Sequence, residues 1–131
     1  PTAYRDPVGI PTICYGHTAT VRIGQTLSPT ECTALLQQDL DHAFAVVDRR
    51  AQVELPEPTR AALASFVYNV GEGNFARSTL LRKLNQGDLR GACHELSRWV
   101  YAGGRKLNGL VSRRATEREL CLAGLAQETT P

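Results

Sequence analysis

Methionine is absent from the 131 residues. Translation starts with Met, whereas this chain opens Pro1-Thr2-Ala3. The expectation is therefore a processed or trimmed product with a segment before Pro1. Long apolar runs are missing too. None approaches the ~18–20 residues that span a bilayer, so none of these residues is expected to cross a membrane. An anchor or signal segment upstream stays open. Charge of one sign is scarce: 15 basic and 13 acidic residues leave +2, too little to point to nucleic acid. The four cysteines, Cys14, Cys32, Cys93 and Cys121, are separated by 17, 60 and 27 residues. Those spacings match no zinc signature, and neither a metal nor a cofactor is expected.

What is present reads as an ordinary globular domain, 42% hydrophobic and 21% charged. The length suits one domain, or two small lobes sharing an element. The charge is unevenly spread. Residues 1–73 sum to −3, residues 74–118 to +7 and residues 119–131 to −2. A basic half can hold an anionic polymer or approach an anionic surface; a solvated Arg-rich helical face explains it as well. The even cysteine count permits disulfides, and buried free thiols fit equally.

Residues 3–26 read as strands and turns, with Pro7-Val8-Gly9 a turn signal and Ile10–Tyr15 rich in β-formers. Ser28-Pro29-Thr30-Glu31 is a capping box with proline at the first helical position. It opens a helix to about Arg49, with Leu36, Leu40, Ala43, Phe44 and Val47 on one face. Such a helix is long for this chain and is expected to bridge two lobes. A second helix follows Thr59, carries Leu63, Phe66, Val67 and Val70, and stops at Gly71-Glu72-Gly73. Ser78–Leu84 forms a short helix. Asp88 caps another, whose face is Leu89, Ala92, Cys93, Leu96, Trp99 and Val100, before Gly103-Gly104. The last helix spans about 109–123, with Arg113, Glu117, Leu120, Cys121 and Gly124 on one side. The fold class is α+β. A β-hairpin lobe over about 1–27 is joined by a helix over about 28–50 to a helical lobe over about 56–124, with a tail at 125–131. The lobes make Cys14–Cys32 and Cys93–Cys121 the economical pairings, in an oxidising compartment.

Few residues could carry chemistry. If the segments around Pro7-Val8-Gly9 form a hairpin, Asp6 and Thr12 can face one space. A carboxylate there can take a proton from water that a hydroxyl orients. Turn chemistry alone accounts for both residues too. His17 ends the strand, and Asp39 on the long helix is its candidate partner. Asn69, at a helix end, can cap carbonyls or hydrogen-bond a sugar amide. Trp99 reads as core, with sugar stacking the lesser reading.

The strings Ala3-Tyr4-Arg5-Asp6, Gly9 and Thr12-Ile13-Cys14-Tyr15-Gly16-His17-Thr18 resemble the active-site hairpin of phage-type lysozymes, glycoside hydrolase family 24. Leu27–Cys32 and Asp39-Leu40-Asp41 resemble its inter-lobe helix. Phe66–Phe75, Ser78–Arg82, Leu84–Asp88, Arg98-Trp99, Gly103-Gly104 and Gly109–Arg114 resemble its C-terminal lobe. The likeness runs from residue 3 to 124 and is nearest to endolysins of lambdoid phages and prophages.

The resemblance implies a muramidase that hydrolyses the β-1,4 bond between N-acetylmuramic acid and N-acetylglucosamine in peptidoglycan, for cell lysis. The family's Glu-x8-Asp-x5-Thr pattern maps its Asp onto Asp6 and its Thr onto Thr12. The Glu falls four positions before Pro1, so the chain is expected to bind peptidoglycan but degrade it poorly. The roles implied are an acid Glu, a base or stabilising Asp6 and a water-holding Thr12. Arg113 would steady the Glu, Asn69 would meet substrate, and His17–Asp39 would be structural. Rival readings are a non-catalytic peptidoglycan-binding module and a lytic transglycosylase, which has less use for a water-holding pair. The expected partner is peptidoglycan, with an anionic membrane surface beside it and no nucleic acid, for a monomer in the periplasm or at the wall. Upstream, a signal-arrest-release anchor is one expectation.

Overall fold

The structure is a computed structural model that describes residues 4–5, 11–12 and 28–128. Strand β1 (Tyr4–Arg5) pairs antiparallel with β2 (Pro11–Thr12), Tyr4 opposite Thr12 and Arg5 opposite Pro11. The expected hairpin is therefore present. Then follow α1 (Pro29–Arg50), α2 (Glu57–Val70), α3 (Glu72–Ala76), α4 (Thr79–Asn85) and α5 (Leu89–Glu95). A 3-10 turn (Leu96–Arg98), a second hairpin of β3 (Tyr101–Ala102) and β4 (Arg105–Lys106), and α6 (Asn108–Glu128) complete the order.

Helix α1 starts as its sequence dictates. The Ser28 hydroxyl accepts from the Glu31 amide at 3.1 Å, and the Glu31 carboxylate accepts from the Ser28 amide at 3.0 Å. Two otherwise orphaned amides are thereby satisfied, and the acidic group suits the positive end of the helix. At the other end the Asn85 side chain donates to the Arg50 carbonyl at 3.1 Å and accepts from the Gln52 amide at 2.7 Å. The residue that closes α4 thus also closes α1. Arg49 and Arg50 both pair with Glu72, a favourable place for cations.

Helix α2 is the centre of the helical body and packs on both α1 and α6. Its Ala62, Leu63, Phe66 and Val67 are buried, together with Val46 and Val47 of α1, Leu80 and Leu84 of α4, and Leu96. Each large apolar side chain so buried contributes ~1.5–3 kcal/mol before entropy is counted. Helices α2 and α6 approach closely because Gly124 faces Thr59: a Cβ on Gly124 would fall 2.3 Å from the Thr59 hydroxyl. That hydroxyl donates to the Cys121 carbonyl at 2.8 Å.

Four local features differ from the sequence-based expectations. The helix expected up to Val100 ends at Glu95 and tightens into the 3-10 turn, because Trp99 leaves helical dihedrals (φ −95°, ψ 59°). Gly103 and Gly104, at φ 59° and 78°, form the two-residue turn of the second hairpin rather than a plain break; that turn type needs both residues left-handed. A further short helix, α3, follows Gly71. Finally, α6 runs to Glu128, past the expected end near 123, since Gly124 sits inside it against Thr59 and Leu125 is buried beyond.

Cys93 and Cys121 form a disulfide, with Cα atoms 5.7 Å apart, as the lobe argument expected. Cys32 is also disulfide-bonded. Its expected partner Cys14 lies outside the described residues.

Candidate active site

The hairpin places Thr12 on β2, opposite Tyr4 of β1. Asp6 itself lies outside the described residues, as does His17. Asp39, the expected partner of His17, is half-buried on α1.

The helical body contributes a polar cluster where α2 meets the start of α6. Ser65 and Asn69 are one helical turn apart on α2, and the adjacent Arg113 and Arg114 lie one turn before Glu117 on α6. Glu117 is only 3% exposed. Its Oε2 accepts from the Ser65 hydroxyl at 2.5 Å, from Arg113 Nε at 3.2 Å and from Arg114 Nη2 at 3.4 Å. Arg113 Nη2 also donates to the Ser65 carbonyl at 3.1 Å, and its guanidinium lies 5.7 Å from the Tyr68 ring centre.

Arg114, not Arg113, is the buried arginine. The sequence reading put Arg113 and Leu120 on one side of the helix with Glu117, Cys121 and Gly124. In the structure Arg114 is 1% exposed and Leu120 is 42% exposed. The stripe is rotated because α2 offers Arg114 both an aromatic face and acceptors. Its guanidinium stacks 5.1 Å from the Phe66 ring centre, and Nη2 donates to Asn69 Oδ1 at 2.9 Å. Nε comes within 2.9 Å of Glu117 Oε1 but is not aligned for a hydrogen bond, so that contact is an ion pair. Nε and Nη1 are buried without a hydrogen-bond acceptor among the described residues. Desolvation pushes the Arg114 pKa down to about 10 against the pull of Glu117, which leaves it charged at neutral pH. Among the described residues, two guanidiniums and one carboxylate leave this cluster with one positive charge in excess. A buried charge without a full set of partners is costly, so the cluster suits a second carboxylate.

Asn69 does not cap a helix carbonyl through Arg114's contact; it accepts from Arg114, while Asn74 caps α2 by donating to the Val70 carbonyl at 2.8 Å. Trp99 is half-buried rather than fully core, its ring edge-on to Phe66 at 5.3 Å. Sequence reasoning missed Arg114, Glu117 and Ser65 as a unit. The signal available was two adjacent arginines followed three and four residues later by a glutamate, the spacing of helical ion pairs. No group of three or more His, Cys, Asp or Glu among the described residues could hold a metal.

The phage lysozyme family model matches residues 1–117. A SAR-endolysin of bacteriophage PS119 is 53% identical over 122 residues, which is 92% of this chain and 73% of that protein. A SAR-endolysin of enterobacteria phage P21 is 51% identical over the same share of this chain and 74% of its own length. Among solved structures, the muramidase domain of SpmX from Asticaccaulis excentricus superposes with a TM-score of 0.79 at 32% identity, covering 92% of this chain and 85% of that one. A P22 lysozyme gives 0.72 at 34% identity, covering 92% and 86%. With the match spanning both the hairpin and the arginine–glutamate cluster, the chain belongs to the phage lysozyme family.

Proposed function

We propose that this chain is an endolysin of the muramidase type, hydrolysing the β-1,4 bond between N-acetylmuramic acid and N-acetylglucosamine in peptidoglycan. The observation that carries this reading is the family match across residues 1–117. In the proposed mechanism Asp6 is the base or charge stabiliser and Thr12 orients the attacking water. A carboxylic acid on the opposite side of the sugar protonates the leaving oxygen. On the family's pattern that acid is a Glu four positions before Pro1. The excess positive charge at Arg113–Arg114 is the matching cation site, and Arg114 rather than Arg113 is assigned the larger share, since its Nη1 is buried and has no acceptor among the described residues.

The second half of the chain supports retention at a charged polymer. Arg77, Arg82, Arg90, Arg98, Arg105 and Lys106 are all exposed. Such a surface would hold the enzyme at the anionic wall, with the anionic membrane beside it, in a salt-dependent way. The Cys93–Cys121 bond is in keeping with an exported protein, as a monomer in the periplasm.

The test uses a chain extended upstream to carry the Glu. It should clear a suspension of peptidoglycan and release hydrolysed ends, one water heavier than anhydro ends. Asp6→Asn in that chain should keep the circular dichroism of the parent and lose ~100-fold or more in rate. Anhydro products, or an Asp6→Asn variant of full activity, would overturn the mechanism.

A further inference from the structure

The chain has four asparagines, and their surroundings differ. Asn69 accepts from Arg114 at 2.9 Å. Asn74 donates to the Val70 carbonyl at 2.8 Å and accepts from Arg77 at 3.1 Å. Asn85 bridges the Arg50 carbonyl and the Gln52 amide. Asn108 is exposed, and its side chain makes no hydrogen bond among the described residues. It is also the one asparagine that a glycine follows.

Asn108 is the first residue of α6. Leu107 stands where a capping residue would, and a leucine side chain has no acceptor for the free amides of a first turn. Backbone groups alone close this turn. The Leu107 amide donates to the Val100 carbonyl at 3.0 Å, and the Leu110 and Val111 amides both donate to the Leu107 carbonyl at 3.1 Å. The Gly109 amide takes no part in these bonds. A Cβ on Gly109 would meet nothing within 4 Å, so the Asn108–Gly109 peptide has room to move. A first turn without a side-chain cap opens at little cost.

The electrostatics at this point favour an anion. Helix α1 has Glu31 in its first turn and α2 has Glu57, whereas α6 has no acidic residue there. The positive end of α6 lacks a counter-charge of its own, and the exposed Arg105 and Lys106 precede it closely in the chain.

We infer that Asn108 is a self-modifying site, which deamidates through a cyclic imide with water as the only other reactant. When the first turn opens, the Gly109 nitrogen attacks Asn108 Cγ. The new N–Cγ bond forms, the Cγ–Nδ2 bond breaks, and the side-chain nitrogen leaves as ammonia with the proton of the Gly109 amide. Water then adds to one of the two imide carbonyls. Opening at Cγ gives aspartate. Opening at the main-chain carbonyl gives isoaspartate, in which the backbone runs through the former side chain. One water is consumed and one ammonia released, with no change of oxidation state. Glycine admits the attack because it has no Cβ to crowd the nitrogen. The helix end and the two cations favour the negative charge that the reaction creates. The two products act oppositely on α6. Aspartate supplies the missing first-turn acid. Isoaspartate lengthens the main chain by one carbon and undoes the turn just ahead of Arg113 and Arg114. The inference needs no substrate and stands apart from the muramidase reading.

The 131-residue chain is held at mildly alkaline pH, and timed samples are cut with trypsin. Fragment 107–113 should gain two products, each heavier by the difference between an amide and an acid. One should co-elute with the same fragment of the Asn108→Asp variant. Fragments 61–77 and 84–90, which carry the other three asparagines, should stay unchanged over that time. Gly109→Ala should slow the conversion severalfold, and it should fold, because its Cβ has open space. Asn108→Asp should unfold about 1–4 °C above the parent, the effect of one acid at a helix N-terminus. The isolated isoaspartate form should unfold below the parent. Conversion spread evenly over the four asparagines overturns the inference, as does Gly109→Ala converting as fast as the parent. So does a fragment 107–113 that keeps its asparagine in the folded chain while the same peptide, free in solution, converts.

Discussion

Arg114 and Glu117 form a buried ion pair at the α2–α6 junction, the arginine 1% and the glutamate 3% exposed. Removing one partner leaves a charge in a place that cannot hydrate it. Glu117→Gln keeps the shape and removes the charge, and it should cost about 3–5 kcal/mol in urea unfolding. The companion variant, Arg114→Met with Glu117→Leu, should cost far less, because the one cation left over, Arg113, has a side chain 36% exposed and can hydrate. If the double replacement is as damaging as Glu117→Gln, the damage is to packing and this account of the pair is wrong.

The close approach of α2 and α6 gives a sharper steric prediction. A Cβ on residue 124 would lie 2.3 Å from Thr59 Oγ1, 2.9 Å from the Thr59 amide nitrogen and 3.2 Å from Pro56 Cβ. Gly124→Ala should therefore destabilise by about 1–3 kcal/mol although alanine favours helix. Thr59→Ala should not rescue it. It removes the hydroxyl but leaves the backbone nitrogen in the way, and it also deletes the bond to the Cys121 carbonyl. Full rescue in thermal unfolding would show that the backbones can part more easily than this packing implies.

The same region shows how far the sequence alone could be read. The start of α1 was legible because a capping box is a local device: Ser28, Pro29 and Glu31 specify it without help from the rest of the chain. The Cys93–Cys121 bond was legible because both residues fall on apolar faces of one lobe. The inward face of α6 was not. Arg113 and Arg114 differ by about 100° around a helix, and the choice between them depends on where α2 puts the Phe66 ring and Asn69. The hairpin at Tyr101–Lys106 was read only as a break, because two glycines mark a turn without saying which strands flank it. Glu95 was not singled out in the sequence, since its pairing with Arg98 is made across the 3-10 turn.

Acid sensitivity should trace in part to Asp48 and Arg60. The guanidinium grips the carboxylate with two bonds, of 2.7 and 2.8 Å. Hydrogen bonding to Arg60 holds the Asp48 carboxyl below its ordinary value of 3.8. A carboxylate with a lowered folded-state pKa binds fewer protons folded than unfolded. Its contribution is complete above the ordinary value and is lost as the pH falls through the folded one. The Asp48 side chain is 52% exposed, so screening limits the contribution to about 0.2–1 kcal/mol. Asp48→Asn should be less stable than the parent at neutral pH by that amount. The gap should close as the pH drops below 3.8. A gap that stays constant through that range would mean the bond acts by shape and not by charge.

The Cys93–Cys121 disulfide should be a main determinant of stability. It closes a loop over a sequence separation of 28, and loop entropy alone assigns such a closure ~3–4 kcal/mol. Both cysteines are fully buried, each at 0% exposure, so reductant reaches the bond only when the α5–α6 contact opens. Two consequences can be separated. The Cys93→Ala, Cys121→Ala variant should unfold at a temperature lower by roughly 10 °C or more, an effect that includes the small cavity left between the helices. The intact chain, treated with reductant under native conditions, should lose the bond slowly, and mild urea should speed the loss in step with the opening equilibrium. Thiol labelling followed by intact mass gives the rate. Fast, urea-independent reduction would show that α5 separates from α6 far more readily than a core contact should. The stability gained from the bond would then be smaller than the loop argument assigns.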